Sequence, residues 1–418
     1  MGNIQDIFIL VTFLVEVAVL FYLEVKAWHT LYTPLIFLMI PYTIVLLITI
    51  MVAGGSFGFV EFYYPSIVIW NVGLLLFAVP SLVLGYFMSK SNMIYSKRPL
   101  PDSLSKVLVF IVFFMSLIFL VHLKGTLGSS AQALGSDEFG SDFSGGGIWG
   151  HLRIITIPLL MMCIYYVSLK RWWLAIPVGV FLMVSMLNQV KGWVIIPVIS
   201  AMSMRLYTGK TKLSARLLLS VVLLSFLVFF ASYGLSILVV QNRGVSKVFM
   251  DFIFGHFFHY LTSGTFGWSM DLQLGLPDDY ENFQNVIAQF VNLFKSFVGD
   301  SELVAPINPI YHNPGLSLTN VRTIFGTLYI NSTWPAFAIY VLFLSTFSYF
   351  LKIALMRFNN IYMYTIYFFF CGMLFMGWFD LYFAGLTIIE FPIITLMLLF
   401  VEYIFKEKSK NENCCNTD

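Results

Sequence analysis

The sequence predicts an all-α integral membrane protein with about 11 transmembrane helices (10–12) and one large extracytoplasmic loop carrying short helices. Three observations predict it. Hydrophobic residues make up 59% of the 418 positions and charged residues 11%, against about half and about a quarter in a soluble domain. More than half of the chain lies in apolar runs of about 18 or more residues, each long enough to cross roughly 30 Å of hydrocarbon as a helix. Finally, Lys and Arg are sorted by connection, which gives the runs a direction.

Apolar runs and their polar breaks place spans at 4–25, 31–52, 65–88, 104–123, 152–169, 172–187, 190–206, 217–240, 334–351, 361–379 and 383–404. The expected organisation is an N-terminal bundle over 1–240, a large extracytoplasmic loop over 241–333, C-terminal transmembrane helices over 334–404 and a cytoplasmic tail over 405–418. The first span follows a short Asn3–Asp6 lead without a basic stretch, so it is expected to be a retained helix rather than a cleaved signal. Cys163 and Cys371 fall inside spans and Cys414 and Cys415 in the tail, a pattern that implies no disulfide framework. The ending Cys415-Asn-Thr-Asp lacks the aliphatic middle of a prenylation box, and Met1-Gly2 lacks the downstream Ser or Thr of a myristoylation signal.

The net charge of +2 is uninformative, because 23 basic and 21 acidic residues nearly cancel. Their placement is not. With the C-terminus in the cytoplasm, alternate connections hold Lys26; Lys90, Lys97, Arg98 and Lys106; Lys170 and Arg171; Arg205, Lys210, Lys212 and Arg216; Lys352 and Arg357; and Lys406, Lys408 and Lys410, which is 16 of the 23 basic residues. Retention of Lys and Arg on the inner side then sets the orientation, with the N-terminus outside for an odd number of spans.

Two long connections fall on the outer face. The first, 124–151, is Gly/Ser-rich and acidic, with Asp137, Glu138 and Asp142, and is expected to be a surface loop. The second, 241–333, collects most of the polar chemistry. A structureless connection of that length is improbable, so helices are expected over 245–262 and 281–298, lying on or dipping into the interface.

Within this loop, Arg243, Lys247 and Asp251 stand at i, i+4, i+8 and share one face if the helix continues outward. Two readings stand for the cations. They grip an anion such as a pyrophosphate, guanidinium by its fork and ammonium as a point charge, or they snorkel to lipid phosphates. His256 and His259, at i, i+3, could aim two imidazoles at one metal, but no third ligand stands at a telling spacing, which favours polar–aromatic packing. His312 lies in the turn-rich Asn308-Pro-Ile-Tyr-His312-Asn-Pro-Gly315 and reads either as a general acid or base or as a plain turn residue. Lys191, in the tight turn after the sixth span, must reach water, a headgroup or an anion. Glu16 and Glu390 lie inside spans, where a carboxylate serves function or makes an interhelical hydrogen bond.

The segment Gly315-Leu-Ser-Leu-Thr-Asn320-Val321-Arg322-Thr323-Ile-Phe-Gly-Thr-Leu-Tyr329, followed by a span beginning at Trp334-Pro335, resembles the Asn-Val-x-Thr segment of Wzy-type oligosaccharide repeat unit polymerases, the O-antigen and capsule polymerases of bacteria. Gln241-Asn-Arg243-Gly244 is similar to the arginine-bearing start of their large loop, and Tyr260-Leu-Thr-Ser-Gly264 to their Tyr-x-x-Gly/Ser-Gly stretch. The chain departs from the pattern at Asn188-Gln-Val-Lys191-Gly, where relatives place a Ser-Arg-Thr-like group. It departs again at Tyr329-Ile-Asn331, where they carry Tyr-x-Asp, so no acidic role is carried over to Asn331.

The resemblance implies a metal-independent membrane glycosyltransferase without a cofactor, acting at the outer face of the bacterial plasma (inner) membrane. It would join undecaprenyl-pyrophosphate-linked oligosaccharide repeat units into lipopolysaccharide or capsule chains. Membrane lipids, and a chain-length regulator and flippase of the same pathway, are the partners it implies; nucleic acid is not among them. Arg243 and Arg322 would stabilise the leaving pyrophosphate, with Lys191 and Lys247 in support. His312 or Asp251 would take the acceptor proton. Asn320, Thr323, Tyr260 and Trp268 would contact substrate, with Trp268 and Tyr311 stacking on sugar faces. An O-antigen ligase shares topology and donor but transfers to lipid A-core. A flippase or transporter is the reading from another class, although repeated halves with broken helices at the midplane are not evident in this sequence. A cysteine introduced at position 280 is expected to react with a membrane-impermeant thiol reagent applied outside intact cells; labelling from the cytoplasmic side alone would overturn the orientation.

Overall fold

The computed structural model describes residues 4–55, 58–90, 100–130, 143, 147–187, 192–217, 219–220, 223, 226–227, 230, 247–275, 283–304 and 310–415. The chain is an all-helical multi-pass membrane protein, and among the described residues one two-residue bridge, His312 with Thr319, is the only β pairing. Helices follow from the medium: without water to satisfy N–H and C=O groups, a spanning segment must bond within itself.

The helices are α1 (Ile4–Trp28), α2 (Pro34–Val52), α3 (Ile67–Lys90), α4 (Lys106–Ser130), α5 (Gly147–Tyr166), α6 (Ala175–Leu187), α7 (Gly192–Tyr207), α8 (Lys247–Leu274), α9 (Ala288–Val298), α10 (Ile324–Ile330), α11 (Trp334–Arg357), α12 (Ile361–Phe375) and α13 (Thr387–Cys415). Nine helices among the described residues are long and apolar enough to cross a membrane, α1 to α6 and α11 to α13, with short 3-10 turns extending α3, α6 and α12. The 16-residue α7 is apolar but shorter. The expected eighth span, 217–240, lies almost entirely outside the described residues. Elsewhere the expected spans coincide with helices to within a few residues, except at the C-terminus. There α13 runs on to Cys415, through the segment expected to be a tail, past a Glu402–Lys406 pair one turn apart at 2.7 Å.

Two compact units form. The first joins Met1–Met93, Lys212–Phe350 and Met373–Gly385, and the second joins Ile94–Thr211, Leu351–Gly372 and Leu386–Asp418. This grouping cuts across the sequential division into bundle, loop and C-terminal helices. The reason within the first unit is that α8 and α10, both from the large loop, pack back on α2 and α3.

In the first unit α1 runs along α3. Glu24 of α1 is fully buried, accepting from the Ser81 and Tyr349 hydroxyls, and Trp28 Nε1 donates to Ser81 Oγ at 3.1 Å. The Glu16 carboxylate of the same helix is different: its buried Oε1 has no hydrogen-bond partner among the described residues. In the second unit Glu390 meets His151 Nδ1 at 3.1 Å, the interhelical contact open to it from the sequence.

The first helix of the large loop is longer than expected. In place of a helix ending near 262, α8 continues for 28 residues to Leu274. Gly264 and Gly267 explain how it seats so deeply. A Cβ on Gly264 would stand 2.3 Å from the Phe379 carbonyl oxygen, and one on Gly267 would stand 2.4 Å from that of Val321. Backbone therefore lies on backbone at both places. Replacing Gly264 with Ala is expected to destabilise the protein by roughly 1–3 kcal/mol, read as a lower melting temperature in detergent, whereas Gly275→Ser, beyond the end of α8, lowers it less.

Candidate functional site

The stripe on which Gly264 and Gly267 stand continues through Trp268 to Asp271, at i, i+3, i+4 and i+7, so α8 carries a carboxylate on its buried face. Trp268 is fully buried, donates from Nε1 to the Ser66 carbonyl at 3.0 Å and meets Tyr329 edge-on. Ser269 Oγ accepts from the Tyr63 amide at 2.8 Å. These bonds fix the rotation of α8 about its axis, and Asp271, 1% exposed, is aimed by them.

Asp271 meets two partners. Arg322 donates to it through Nε and Nη2, the latter at 2.8 Å to Oδ1, and gives Nη1 to the Ile310 carbonyl at 3.0 Å. Each of its three nitrogens thus makes a hydrogen bond, and Arg322 is 1% exposed. His312 places Nε2 against Asp271 Oδ1. With the carboxylate accepting there, the imidazole proton sits on Nε2 and Nδ1 is the basic nitrogen. The His312 backbone is held by paired bonds with Thr319, both at 2.8 Å, and Val60 N donates to the Pro314 carbonyl at 3.0 Å. The turn-rich segment is a clasp that presents the imidazole rather than a free loop.

A second carboxylate lies next to this group. Asp380, in the connection between α12 and α13, accepts from Thr327 Oγ1 at 3.0 Å and from the Leu381 amide at 2.8 Å. Thr327 stands on α10, one turn from Arg322, and its hydroxyl also lies 3.3 Å from the Arg322 carbonyl. Burial among apolar neighbours raises the Asp380 carboxyl to about 6, outweighing the lowering effect of those hydrogen bonds and of the Arg322 charge. Three stretches distant in sequence thus converge: α8, the 310–323 segment with the α10 that follows it, and the turn at 379–381. A carboxylate-held histidine beside a second acid that titrates near neutrality is equipped to move a proton.

The residues expected from the sequence separate into three groups. Arg322 and His312 are brought together by Asp271. Thr323 and Trp268, expected at the substrate, are spent on structure: Thr323 Oγ1 caps α10 by accepting from Gly326 N at 3.1 Å and also accepts from Trp70 Nε1 at 3.0 Å. Asn320, half-buried, adjoins the cluster in sequence, whereas Tyr260 packs edge-on to His256 and His259 further up α8. Asp251 is exposed and stands 20 residues before Asp271 on the same helix, about 30 Å away at 1.5 Å per residue; it does not join the group. Lys191 and Arg243 lie outside the described residues, and Lys247 opens α8 with its side chain outside them. Arg322, expected at the pyrophosphate, directs three of its five N–H groups to Asp271 and the Ile310 carbonyl. His256 and His259 stack in an aromatic row with ring centroids 5.7 Å apart, and no group of three metal-ligating side chains occurs among the described residues.

Asp271 and Asp380 were not singled out by sequence reasoning. The glycine spacing leading to Asp271 was the available signal for the first. For the second it was a lone acid in the short apolar turn Trp378-Phe-Asp380-Leu-Tyr.

The fold and site define a polytopic membrane protein with a buried cluster of His312, Asp271 and Arg322. More particularly, the chain belongs to the family described as a family of unknown function (DUF6337), which matches residues 58–410 and so takes in every member of the cluster. No curated protein and no solved structure matches it.

The Asp380 carboxyl gives a pH prediction. Its folded value lies above the usual 3.8, so the native state binds the proton more tightly than the unfolded chain. The resulting stabilisation is complete below about 4 and is lost as pH rises through about 6. Asp380→Asn keeps the acceptor oxygen and carries no charge. It is expected to melt higher than the parent at pH 7.5, by on the order of 2 kcal/mol, with the difference vanishing at pH 4; the measurement is the melting temperature of both proteins across that range.

Proposed function

We propose that this protein is an oligosaccharide repeat unit polymerase, transferring a glycan chain from undecaprenyl pyrophosphate onto a lipid-linked acceptor at the outer face of the bacterial plasma membrane. The observation that carries the reading is the hydrogen-bonded His312–Asp271–Arg322 cluster. It joins the one turn histidine singled out as a base to the segment Asn320-Val-Arg-Thr323 that resembles such polymerases.

The chemistry assigns a task to each group. Nδ1 of His312 accepts the proton of the acceptor hydroxyl as its oxygen bonds to the anomeric carbon and the bond to pyrophosphate breaks. Asp271 holds the ring in the required tautomer and stabilises the imidazolium, and Arg322 holds Asp271 in place. Arg322 is accordingly a positioning residue. The pyrophosphate falls to Arg243, Lys247 and Lys191, cations with no other assigned task.

The test is the surface polysaccharide of the source bacterium carrying His312→Ala. Long chains are expected to disappear and single repeat units to remain, with the variant present in the membrane at the normal level. Unchanged chain length would remove His312 from the chemistry. Chains accumulating on undecaprenyl lipid would indicate a ligase, and repeat units retained inside the cell a flippase; either result overturns the polymerase reading.

A further inference from the structure

In the second unit, α5 and α7 end close together, and the cations that gather there have no task in the reaction. Arg205 of α7 spends Nη1 on three carbonyls at the end of α5, Ile164 at 2.9 Å, Tyr165 at 3.0 Å and Val167 at 2.9 Å, and spends Nε on Thr211 Oγ1 at 3.0 Å. Each partner is neutral, and Nη2 makes no hydrogen bond among the described residues. Lys210 lies exposed with its ammonium 3.9 Å from the Tyr165 ring centroid and 4.4 Å from that of Tyr166. Arg171 donates to the Asp102 backbone carbonyl rather than to a carboxylate.

Three cations are therefore mounted on carbonyls and aromatic faces, none of which cancels a unit charge. Among the described residues none of the three forms a salt bridge. The nearby acids are exposed Asp102, and Glu402, which is engaged by Lys406 and Tyr362. Although the Lys210 side chain is exposed, partial desolvation of its ammonium over the tyrosine rings, and then the charge of Arg205, lowers it to about 8 against the opposing charge of Asp102.

We propose that Arg171, Arg205 and Lys210 form a binding site for the phosphate headgroup of an anionic phospholipid. A phosphodiester carries one charge and several acceptor oxygens, which suits a free guanidinium edge beside an ammonium. The ends of apolar helices put that phosphate at headgroup depth, and basic pockets between transmembrane helices on the cytoplasmic side are where acidic lipids lodge. Sorting of Lys and Arg assigns this end to the cytoplasmic side, and none of the three residues takes part in the proposed polymerase chemistry, so the site stands or falls independently of it.

The experiment uses the full chain in nanodiscs of phosphatidylcholine alone or with one third phosphatidylglycerol, and as a third arm phosphatidylcholine with inorganic phosphate added. The parent is expected to melt higher with phosphatidylglycerol and to retain that lipid in native mass spectrometry. Arg171→Ala/Lys210→Ala, which spares the carbonyl contacts of Arg205, is expected to lose most of both effects while melting as the parent does in phosphatidylcholine. Lys210→Gln alone, at an exposed position, is expected to lose part of them. Equal retention by parent and variants would overturn the site, and stabilisation by inorganic phosphate without any by the lipid would overturn the lipid as its occupant.

Discussion

A guanidinium and a carboxylate held together out of water, Arg322 on Asp271, organise the buried polar cluster of this protein. Neither charge is tolerable alone at that depth. Removing one partner of such a pair leaves an unpaired buried ion, at a cost of about 3–5 kcal/mol. The pair in turn requires α8 to be rotated so that Asp271 faces inward, which Trp268 and Ser269 secure through the 63–66 turn. It also requires the 310–323 segment to be clasped, which Thr319 and Val60 secure. Orientation of His312 and the nearness of Asp380 follow from those requirements.

Much of the fold was legible in the sequence because hydropathy is a local property. A run of about 20 apolar residues announces a span whatever surrounds it, and the helices lie where the runs do. What was not legible depends on which side chains face each other. The extension of α8 past 262 is one case: residues 262–271 are rich in Gly, Ser and Thr and look like a loop by composition, yet every one of those hydroxyls and glycines faces packed protein rather than water.

The site shows the same limit more sharply. His312 and Arg322 were identifiable by residue type and by resemblance, but Asp271 and Asp380 were two acids among many. Their burial, and with it their chemistry, is created by contacts with residues 41 and 53 positions away, His312 and Thr327 respectively. Conversely, Thr323 and Trp268 carry polar groups that suit a substrate, and the structure uses them as a helix cap and a packing anchor. Residue type suggested both roles; geometry chose between them.

The buried Glu24 has a consequence for how the protein is made. Its two hydroxyl partners are 57 and 325 residues further along the chain. At about 5–20 residues per second of synthesis, Ser81 emerges within seconds of Glu24, but Tyr349 follows only after roughly a quarter of a minute to a minute. Throughout that interval the first three helices must hold this acid without its Tyr349 partner. The arrival of α11 is therefore an act of completion for the oldest part of the molecule, and ribosomal pausing before residue 349 would prolong a vulnerable, unfinished state.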